Sequence, residues 1–212
     1  MYKNSDQPIR IMTVDDHPVF REGIGAMLAT QHDMHLIAEA STGHEAVELF
    51  RVHQPDITLM DLRLPDITGL EAIGLIRESF PNARMIVLTT YKGDVQALRA
   101  IKAGASGYLL KSMLRMYMLD TIRAVHAGHR RIPPEIAAEM AEHAADDTLT
   151  AREIQVLQQV AAGNANKMIA DKLSISEDTV KAHMKSILSK LAANDRTHAV
   201  TIAIRRGFLD LQ

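Results

Sequence analysis

The sequence predicts a doubly wound α/β domain with a five-stranded parallel sheet, followed by a smaller all-helical domain. Two observations support this prediction. Up to about residue 128, short apolar runs alternate with helical periodicity in five β–α units, which is typical of a parallel sheet covered by helices on both faces. From about residue 148 onward, the apolar periodicity is helical throughout.

Each element of the first domain follows from its local pattern. Apolar runs rich in β-forming residues predict strands over residues 9–14, 36–40, 56–60, 85–88 and 107–110. Helical periodicity predicts helices over residues 19–29, 44–53, 69–79, 95–103 and 113–126. Glycines lie at several of the expected boundaries, where turns and helix ends need them.

The second half of the chain is predicted to contain a linker and four helices. Residues 129–147 are interpreted as the linker, because two adjacent prolines precede an Ala-rich, charged segment with a helix over 134–143 and an acidic turn. The segment 148–212 is predicted to contain four helices, which end near residues 162, 173, 191 and 206. A capping box from Thr150 to Glu153 begins the first of them. A short helix, a tight turn and a longer helix form the helix-turn-helix layout.

Composition narrows the class of protein. The chain has 212 residues, of which 47% are hydrophobic and 24% charged, and this is typical of a soluble globular protein. The absence of cysteine excludes disulfides and thiolate metal sites. We find no signal-peptide core and no run of membrane-spanning length, so we expect a cytoplasmic protein with no membrane partner. Residues 149–212 hold nine Lys and Arg against six Asp and Glu, and this excess indicates a polyanionic partner.

Polar residues follow four of the predicted strands where these strands end, and parallel strands end at one edge of a sheet. They are Asp15 and Asp16, Asp61, Thr89 and Thr90, and Lys111. Three carboxylates in one crevice repel each other unless a cation joins them, and oxygen ligands with room for water suit Mg²⁺. With a lysine and a hydroxyl nearby, the set is typical of a phosphoryl site. Each acid alone is more simply a helix cap, but the matched strand ends favour a site.

Four segments resemble the receiver domain of bacterial two-component response regulators, over roughly residues 8–128: VDDHPVFREGI, DITLMDLRLPDITGLE, MIVLTTY and KAGASGYLLK. The resemblance implies a flavodoxin-like fold in which Asp61 accepts a phosphoryl group from a sensor histidine kinase. It implies that Asp16 binds Mg²⁺ directly and that Asp15 contributes through water. Asp61 and the backbone carbonyl of Arg63 would complete the metal-binding set.

The same resemblance implies a switch at the ends of the fourth and fifth strands. Thr89 and Lys111 would bind the phosphoryl oxygens, and Tyr108 would change rotamer as Thr89 moves toward the phosphate. The alternative for Tyr108 is a passive, half-buried aromatic residue. Ser112 departs from the family pattern, because many receivers carry proline there.

The third helix of the tail, SEDTVKAHMKSILSKL, has an apolar face and a basic face. Its apolar stripe, which we expect to face the core, is Val180, Met184, Ile187, Leu188 and Leu191. Lys181, Ala182 and Lys185 lie on another face, and a slim basic face suits entry into a major groove. The alternative is an ordinary solvated face with two lysines.

Three further segments resemble the four-helix DNA-binding domain of the LuxR type, over roughly 148–212: LTAREIQVLQQVAAG, NKMIADKLSISEDTVKAHMKSILSKL and RTHAVTIA. With the receiver in front, the chain resembles a NarL/FixJ-type response regulator. The resemblance implies that Lys181, Ala182 and Lys185 face bases or nearby phosphates of double-stranded DNA. It also implies that the DNA backbone is held by Asn166, Lys167 and Thr179. Ala165 and Met168 stand where this family usually has Ser and Glu.

We therefore expect a transcription regulator that is switched by phosphorylation, forms a homodimer when phosphorylated, and is not a conventional enzyme. One rival is a haloacid-type phosphatase with Asp61 as its nucleophile. Arg63 argues against it, because that type has a second Asp two residues after the nucleophile. A second rival is a receiver that switches by protein binding alone, which the complete set of acids disfavours.

Overall fold

The computed structural model describes residues 7–90, 93–143 and 149–209. These residues divide into two compact units. One comprises the residues up to 90 together with 98–134, and the other comprises 93–97 together with the residues from 135 onward. The acidic turn predicted after residue 143 lies outside the described residues.

The first unit contains every predicted strand. They are β1 (Ile9–Val14), β2 (Met34–Ala40), β3 (Ile57–Asp61), β4 (Met85–Thr89) and β5 (Gly107–Leu110). The helices of the α/β region are α1 (Pro18–Ala29), α2 (Gly43–His53), α3 (Gly69–Ser79), α4 (Asp94–Lys102) and α5 (Leu114–His126). A 3₁₀ turn over Lys111–Met113 joins β5 to α5. The predicted ends differ from these by at most two residues, as at β2.

The sheet has the order β2-β1-β3-β4-β5, and all its pairs are parallel. On one face, Ile11, Leu59 and Leu109 pack in one cluster with Leu28 of α1 and Met118 of α5. Because side chains alternate along a strand, the intervening residues point to the other face, where α2 and α3 pack against each other. The sheet therefore carries helices on both faces, as predicted.

The edge of β5 is paired with the segment that follows α5. The backbone N–H of Arg131 donates to the carbonyl of Ser106 at 3.0 Å, and its carbonyl accepts from the N–H of Tyr108 at 2.8 Å. This isolated parallel bridge to Gly107 satisfies backbone groups that an open sheet edge would leave exposed.

The remaining helices are α6 (Pro134–Glu142), α7 (Ala151–Ala161), α8 (Asn166–Leu173), α9 (Glu177–Lys190) and α10 (Arg196–Arg206). The four helices from α7 onward were predicted, and they bury one core that includes Val156, Ile169, Ile187 and Ala199. Within the ranges that the structure describes, no helix combines the length and the apolar character needed to cross a membrane.

Candidate functional site

Two acids and one lysine meet where β1, β3 and β5 end. Asp15 follows β1, Asp61 is the last residue of β3, and Lys111 follows β5. The Nζ atom of Lys111 lies 2.6 Å from Asp15 Oδ2 and 2.7 Å from Asp61 Oδ2. All three side chains are buried, so the ammonium offsets a repulsion that water could not screen.

Burial and the ion-pair contacts have opposite effects on the pKa values of Asp61 and Lys111. Burial and the negative charge of Asp15 raise the pKa of the Asp61 carboxyl, the hydrogen bond and charge of Lys111 lower it, and the net pKa lies above its ordinary value. For Lys111, burial lowers the pKa, but the hydrogen bonds to Asp15 and Asp61 and the charges of these acids together raise it by more. The pKa of Lys111 therefore lies above its ordinary value. The lysine is therefore charged at neutral pH. A cation bound to the acids would favour the ionised form of Asp61.

The three predicted metal-binding acids lie together, and His17 joins them. One ligand atom from each of Asp15, Asp16, His17 and Asp61 lies within 4.8 Å of the others. The Asp16 side chain is the exposed member of the acid set, at 37%. Carboxylate oxygens with access to water are the donor set that Mg²⁺ prefers. The sequence pattern did not single out His17, although its position directly after the two acids could have indicated it.

The loop between β3 and α3 is held close to Asp61. The backbone N–H of Arg63 donates to Asp61 Oδ1 at 3.2 Å. Gly69, the first residue of α3, donates its N–H to the Leu62 carbonyl at 3.0 Å, and a Cβ at this position would collide with the Asp61 carbonyl oxygen. This close approach requires glycine. The role predicted for the Arg63 carbonyl remains a prediction.

Asp66 ties the same loop to α2. Its carboxylate accepts hydrogen bonds from the backbone N–H groups of Gly43 and His44 at 2.7 and 2.9 Å. Desolvation raises the pKa of Asp66, but these backbone hydrogen bonds lower it by more, to a value well below the ordinary one. The first turn of α2 therefore holds an ionised Asp66 as a helix cap.

Thr89 and Tyr108 lie on neighbouring strands at the same end of the sheet. Thr89 is the last residue of β4 and pairs with Leu110, the residue before Lys111. Both Thr89 and Tyr108 are buried, at 2% and 1% exposure. The Tyr108 ring is therefore fully buried and not half-buried, and alternation along β5 turns it toward the helix-covered face opposite Leu109. The rotamer change of Tyr108 remains a prediction.

Residues of α1 also contact the acid group, and these contacts were not predicted from the sequence. The Nζ of Lys111 lies 4.7 Å from the centre of the Phe20 ring, which is within the range of a cation–π contact. Nη1 of Arg21 donates to the Asp15 carbonyl oxygen at 2.6 Å. No local pattern indicated these contacts, because they depend on how α1 packs beside the ends of the strands.

The second unit presents α9 as predicted. The Ser176 Oγ accepts a hydrogen bond from the Thr179 N–H at 3.0 Å and caps the helix. Of the predicted apolar stripe, four residues are buried and Leu188 is partly buried. Lys181, Ala182 and Lys185 are exposed on the outer face, and Thr179 is partly exposed.

Lys181 is paired with acids of its own helix. Its Nζ lies 3.0 Å from Asp178 Oδ1 and 3.8 Å from Glu177 Oε1. The hydrogen bond to Asp178 and the charges of both acids raise the pKa of Lys181. Exposed pairs of this kind contribute little free energy, so Lys181 can exchange them for another anion at small cost.

The start of α8 lies one tight turn before α9. Ala165 is its N-terminal flanking residue, and an alanine side chain cannot cap the helix. Asn166 is partly exposed, and Lys167 and Met168 are exposed. The start of α8 is therefore exposed and has no side-chain cap.

Glu153 links α7 to α9, whereas the sequence predicted it only as part of a capping box. Its carboxylate accepts hydrogen bonds from the Thr150 N–H at 2.7 Å, the Ser186 hydroxyl at 2.7 Å and the Lys190 ammonium at 3.0 Å. Burial raises the pKa of Glu153, but these hydrogen bonds, led by that of Ser186, lower it to about 2. The ionised carboxylate thus anchors the side of α9 that faces away from solvent.

Comparison with known proteins agrees with this geometry. Residues 11–123 match the family model described as the response regulator receiver domain, and residues 147–203 match the one described as bacterial regulatory proteins, luxR family. The transcriptional regulatory protein LnrK of Bacillus subtilis (strain 168) is 38% identical over 94% of this chain and 98% of its own. DegU, a transcriptional regulatory protein of Brevibacillus brevis, is 33% identical over 98% of each chain.

A solved structure extends the comparison. The crystal structure of a LuxR-family two-component response regulator from Aurantimonas sp. SI85-9A1 is 41% identical, with a TM-score of 0.63. It covers 66% of this chain and 100% of that one. The sheet order, the acid group and the helical unit define a regulator with separate input and output parts. The chain belongs to the two-component response regulators, and it has a receiver domain and a LuxR-type DNA-binding domain.

Proposed function

We propose that this chain regulates transcription from the cytoplasm and that a sensor histidine kinase switches it by phosphorylating Asp61. In this proposal, residues 8–128 receive the phosphoryl group, 129–147 connect, and 148–212 bind DNA. The observation that carries it is the buried Lys111 ammonium between the carboxylates of Asp15 and Asp61. A fixed cation beside the nucleophile can stabilise the charge of a transferring phosphoryl group.

The transfer follows from the groups at the site. An oxygen of Asp61 attacks the phosphorus of the kinase phosphohistidine, the O–P bond forms, and the P–N bond breaks with its electron pair returning to the imidazole. Lys111 exchanges its contact with Asp61 for a phosphoryl oxygen, and the Thr89 hydroxyl donates to another. Asp15, Asp16, Asp61 and the Arg63 carbonyl would hold Mg²⁺, which neutralises phosphoryl charge when it is bound.

The phosphorylated state is read at β4 and β5. A Thr89 that moves toward the phosphate changes the space beside the buried Tyr108 ring, which reshapes the surface around α4 and β5. We propose that this surface change favours a homodimer. A two-fold dimer would in turn suit a two-fold DNA site.

The DNA-binding half is proposed to use the exposed face of α9. Lys181, Ala182 and Lys185 would face bases or nearby phosphates, and their exposure supports this role. Asn166, Lys167 and Thr179 would hold the DNA backbone at the helix N-termini.

One experiment tests both halves of the proposal. The full chain is treated with acetyl phosphate and Mg²⁺, and phosphorylation, dimerisation and affinity for a duplex selected in vitro are measured. We expect Asp61→Asn to lose phosphorylation and the gains in dimer and DNA affinity that follow it. Asp120→Asn, a change of an 80% exposed acid on α5, is the matched control and should behave as the wild type. Wild-type switching in the Asp61 variant would refute the proposal.

A further inference from the structure

The His17 ring lies among the acids of the candidate cation site, although the proposed transfer does not use it. Its Nδ1 is 2.6 Å from Asp16 Oδ1 and 3.1 Å from Asp15 Oδ1. A ring nitrogen of His17 also belongs to the group whose ligand atoms, including that of Asp61, all lie within 4.8 Å of one another. A side chain so placed lies within reach of an ion held by these acids.

The local backbone, rather than burial, places the ring there. The His17 N–H donates to Asp15 Oδ1 at 2.9 Å, and its backbone is extended, with φ −93° and ψ 108°. Pro18 follows as the first residue of α1 and restricts the preceding residue to this region. The side chain is nevertheless 65% exposed, so solvent and ions can reach the ring.

The ring and Lys111 use different oxygens of the same acid. Lys111 contacts Asp15 Oδ2, whereas His17 contacts Asp15 Oδ1. An ion can therefore be shared by the ring and the acids without first displacing the buried lysine.

The donor atoms decide which ion such a site prefers. Mg²⁺ is bound almost entirely by carboxylate, carbonyl and water oxygens, whereas first-row transition ions also accept an imidazole nitrogen. Among these ions Mn²⁺ is closest to Mg²⁺ in its tolerance of carboxylates and water. A nitrogen ligand added to the three acids would therefore favour Mn²⁺ over Mg²⁺.

We propose that His17 is an additional ligand of the cation and that the site for this reason binds Mn²⁺ in preference to Mg²⁺. The inference rests on the proposed function, because it takes Asp15, Asp16 and Asp61 to be the cation ligands. On ion binding, the ring nitrogen exchanges its contact with Asp16 for the ion.

The test uses the full chain without an affinity tag, at one fixed pH. Free Mn²⁺ is followed by electron paramagnetic resonance, Mg²⁺ affinity is obtained by competition, and nitrogen hyperfine coupling to bound Mn²⁺ is measured by electron spin echo modulation. His17→Ala removes the ring, and His17→Asn keeps a polar hydrogen-bonding group without an imidazole. His44→Ala is the matched control, because His44 is 68% exposed and its Nδ1 contacts Asp66 Oδ2 at 2.6 Å.

We expect coupling to a histidine nitrogen in the wild type and in His44→Ala, and its loss in both His17 variants. Mn²⁺ affinity should fall about tenfold or more in those variants, and Mg²⁺ affinity should change little. Unchanged Mn²⁺ affinity, or an equal loss for both ions, would overturn the inference and leave the proposed function intact. Failure of the wild type to bind either ion would overturn both.

Discussion

The Lys111 ammonium lies 2.7 Å from Asp61 Oδ2, and both side chains are at least 94% buried. In this position the lysine can bind a negatively charged group both before and after the proposed phosphorylation of Asp61. Without a phosphoryl group it offsets the charges of Asp61 and Asp15, and with one it would bind a phosphoryl oxygen. The same contact therefore contributes to stability and to the proposed chemistry.

Replacement of Lys111 tests the contribution to stability. We expect Lys111→Ala to lower the free energy of unfolding at neutral pH by about 3–5 kcal/mol, because it leaves two buried carboxylates without their cation. Added Mg²⁺ should restore part of the loss, because an ion bound to the acids replaces the missing charge. Urea unfolding with and without Mg²⁺ measures both effects. Lys102→Ala, at an exposed position on α4, is the control, and an equal loss in both variants would contradict this explanation.

Gly69 and Gly74, both in α3, allow the close approach of this helix to Asp61 to be tested by two otherwise similar substitutions. A Cβ at Gly69 would collide with the Asp61 carbonyl oxygen, whereas a Cβ at Gly74 meets nothing within 4 Å. We expect Gly69→Ala to destabilise the protein by about 1–3 kcal/mol and to slow phosphorylation by acetyl phosphate, because β3 must shift. Gly74→Ala should be neutral or stabilising by up to about 1 kcal/mol. Thermal unfolding and phosphorylation rates test this pair, and similar behaviour of the two variants would show that the close approach is unimportant.

The sequence predicted the order and type of the elements because apolar runs and helical periodicity alternate clearly. It missed the first two residues of β2, where Met34 is paired with Ile9, because strand pairing rather than local propensity extends that strand. The pairing of Arg131 with the edge of β5 was likewise missed, because a single bridge leaves no periodic pattern.

For the candidate site, the sequence indicated which residues reach one edge of the sheet, because parallel strands end together. It did not indicate that Lys111 contacts both Asp15 and Asp61, nor that Phe20 lies over its ammonium, because these contacts depend on rotamers and helix packing. His17 was identifiable in principle, since it adjoins two acids, but its orientation required the backbone of the turn before α1.

Glu153 should make stability depend on pH in the acid range. Its pKa is about 2 in the folded protein against an ordinary value of 4.5, so its contribution is present above pH 4.5 and is lost as the pH falls toward 2. We expect Glu153→Gln to cost roughly 2 kcal/mol at neutral pH and to flatten the acid dependence between those values. Unfolding of the full chain at several pH values measures this.

Glu71 supplies the control for Glu153. It forms the same capping box with Thr68 at the start of α3, but it is exposed and its carboxylate accepts hydrogen bonds from Thr68. Glu71→Gln should therefore have a much smaller effect than Glu153→Gln. Equal effects would mean that the cap, and not the contacts with Ser186 and Lys190, accounts for the stabilisation by Glu153.

Lys185 tests the use of α9 in DNA binding. We expect Lys185→Ala to weaken binding to a selected duplex and, if the lysine contacts a phosphate, to reduce the slope of log K against log salt by about one. A changed sequence preference with an unchanged slope would instead indicate a base contact. Arg51→Ala removes the same charge from an exposed position on α2 and should change neither property. Binding equal to that of the wild type would remove Lys185 from the interface.

Asp178 tests whether the acids at the start of α9 restrain Lys181. Its carboxylate lies 3.0 Å from the Lys181 ammonium, on the helix that is proposed to enter DNA. We expect Asp178→Asn to raise DNA affinity by about twofold to fivefold, because Lys181 then exchanges a weaker contact for a phosphate. Asp120→Asn makes the same change in net charge on α5 and should have a smaller effect. Fluorescence anisotropy at several salt concentrations compares the two variants. Equal gains would show that overall charge, and not the local pair, sets the affinity.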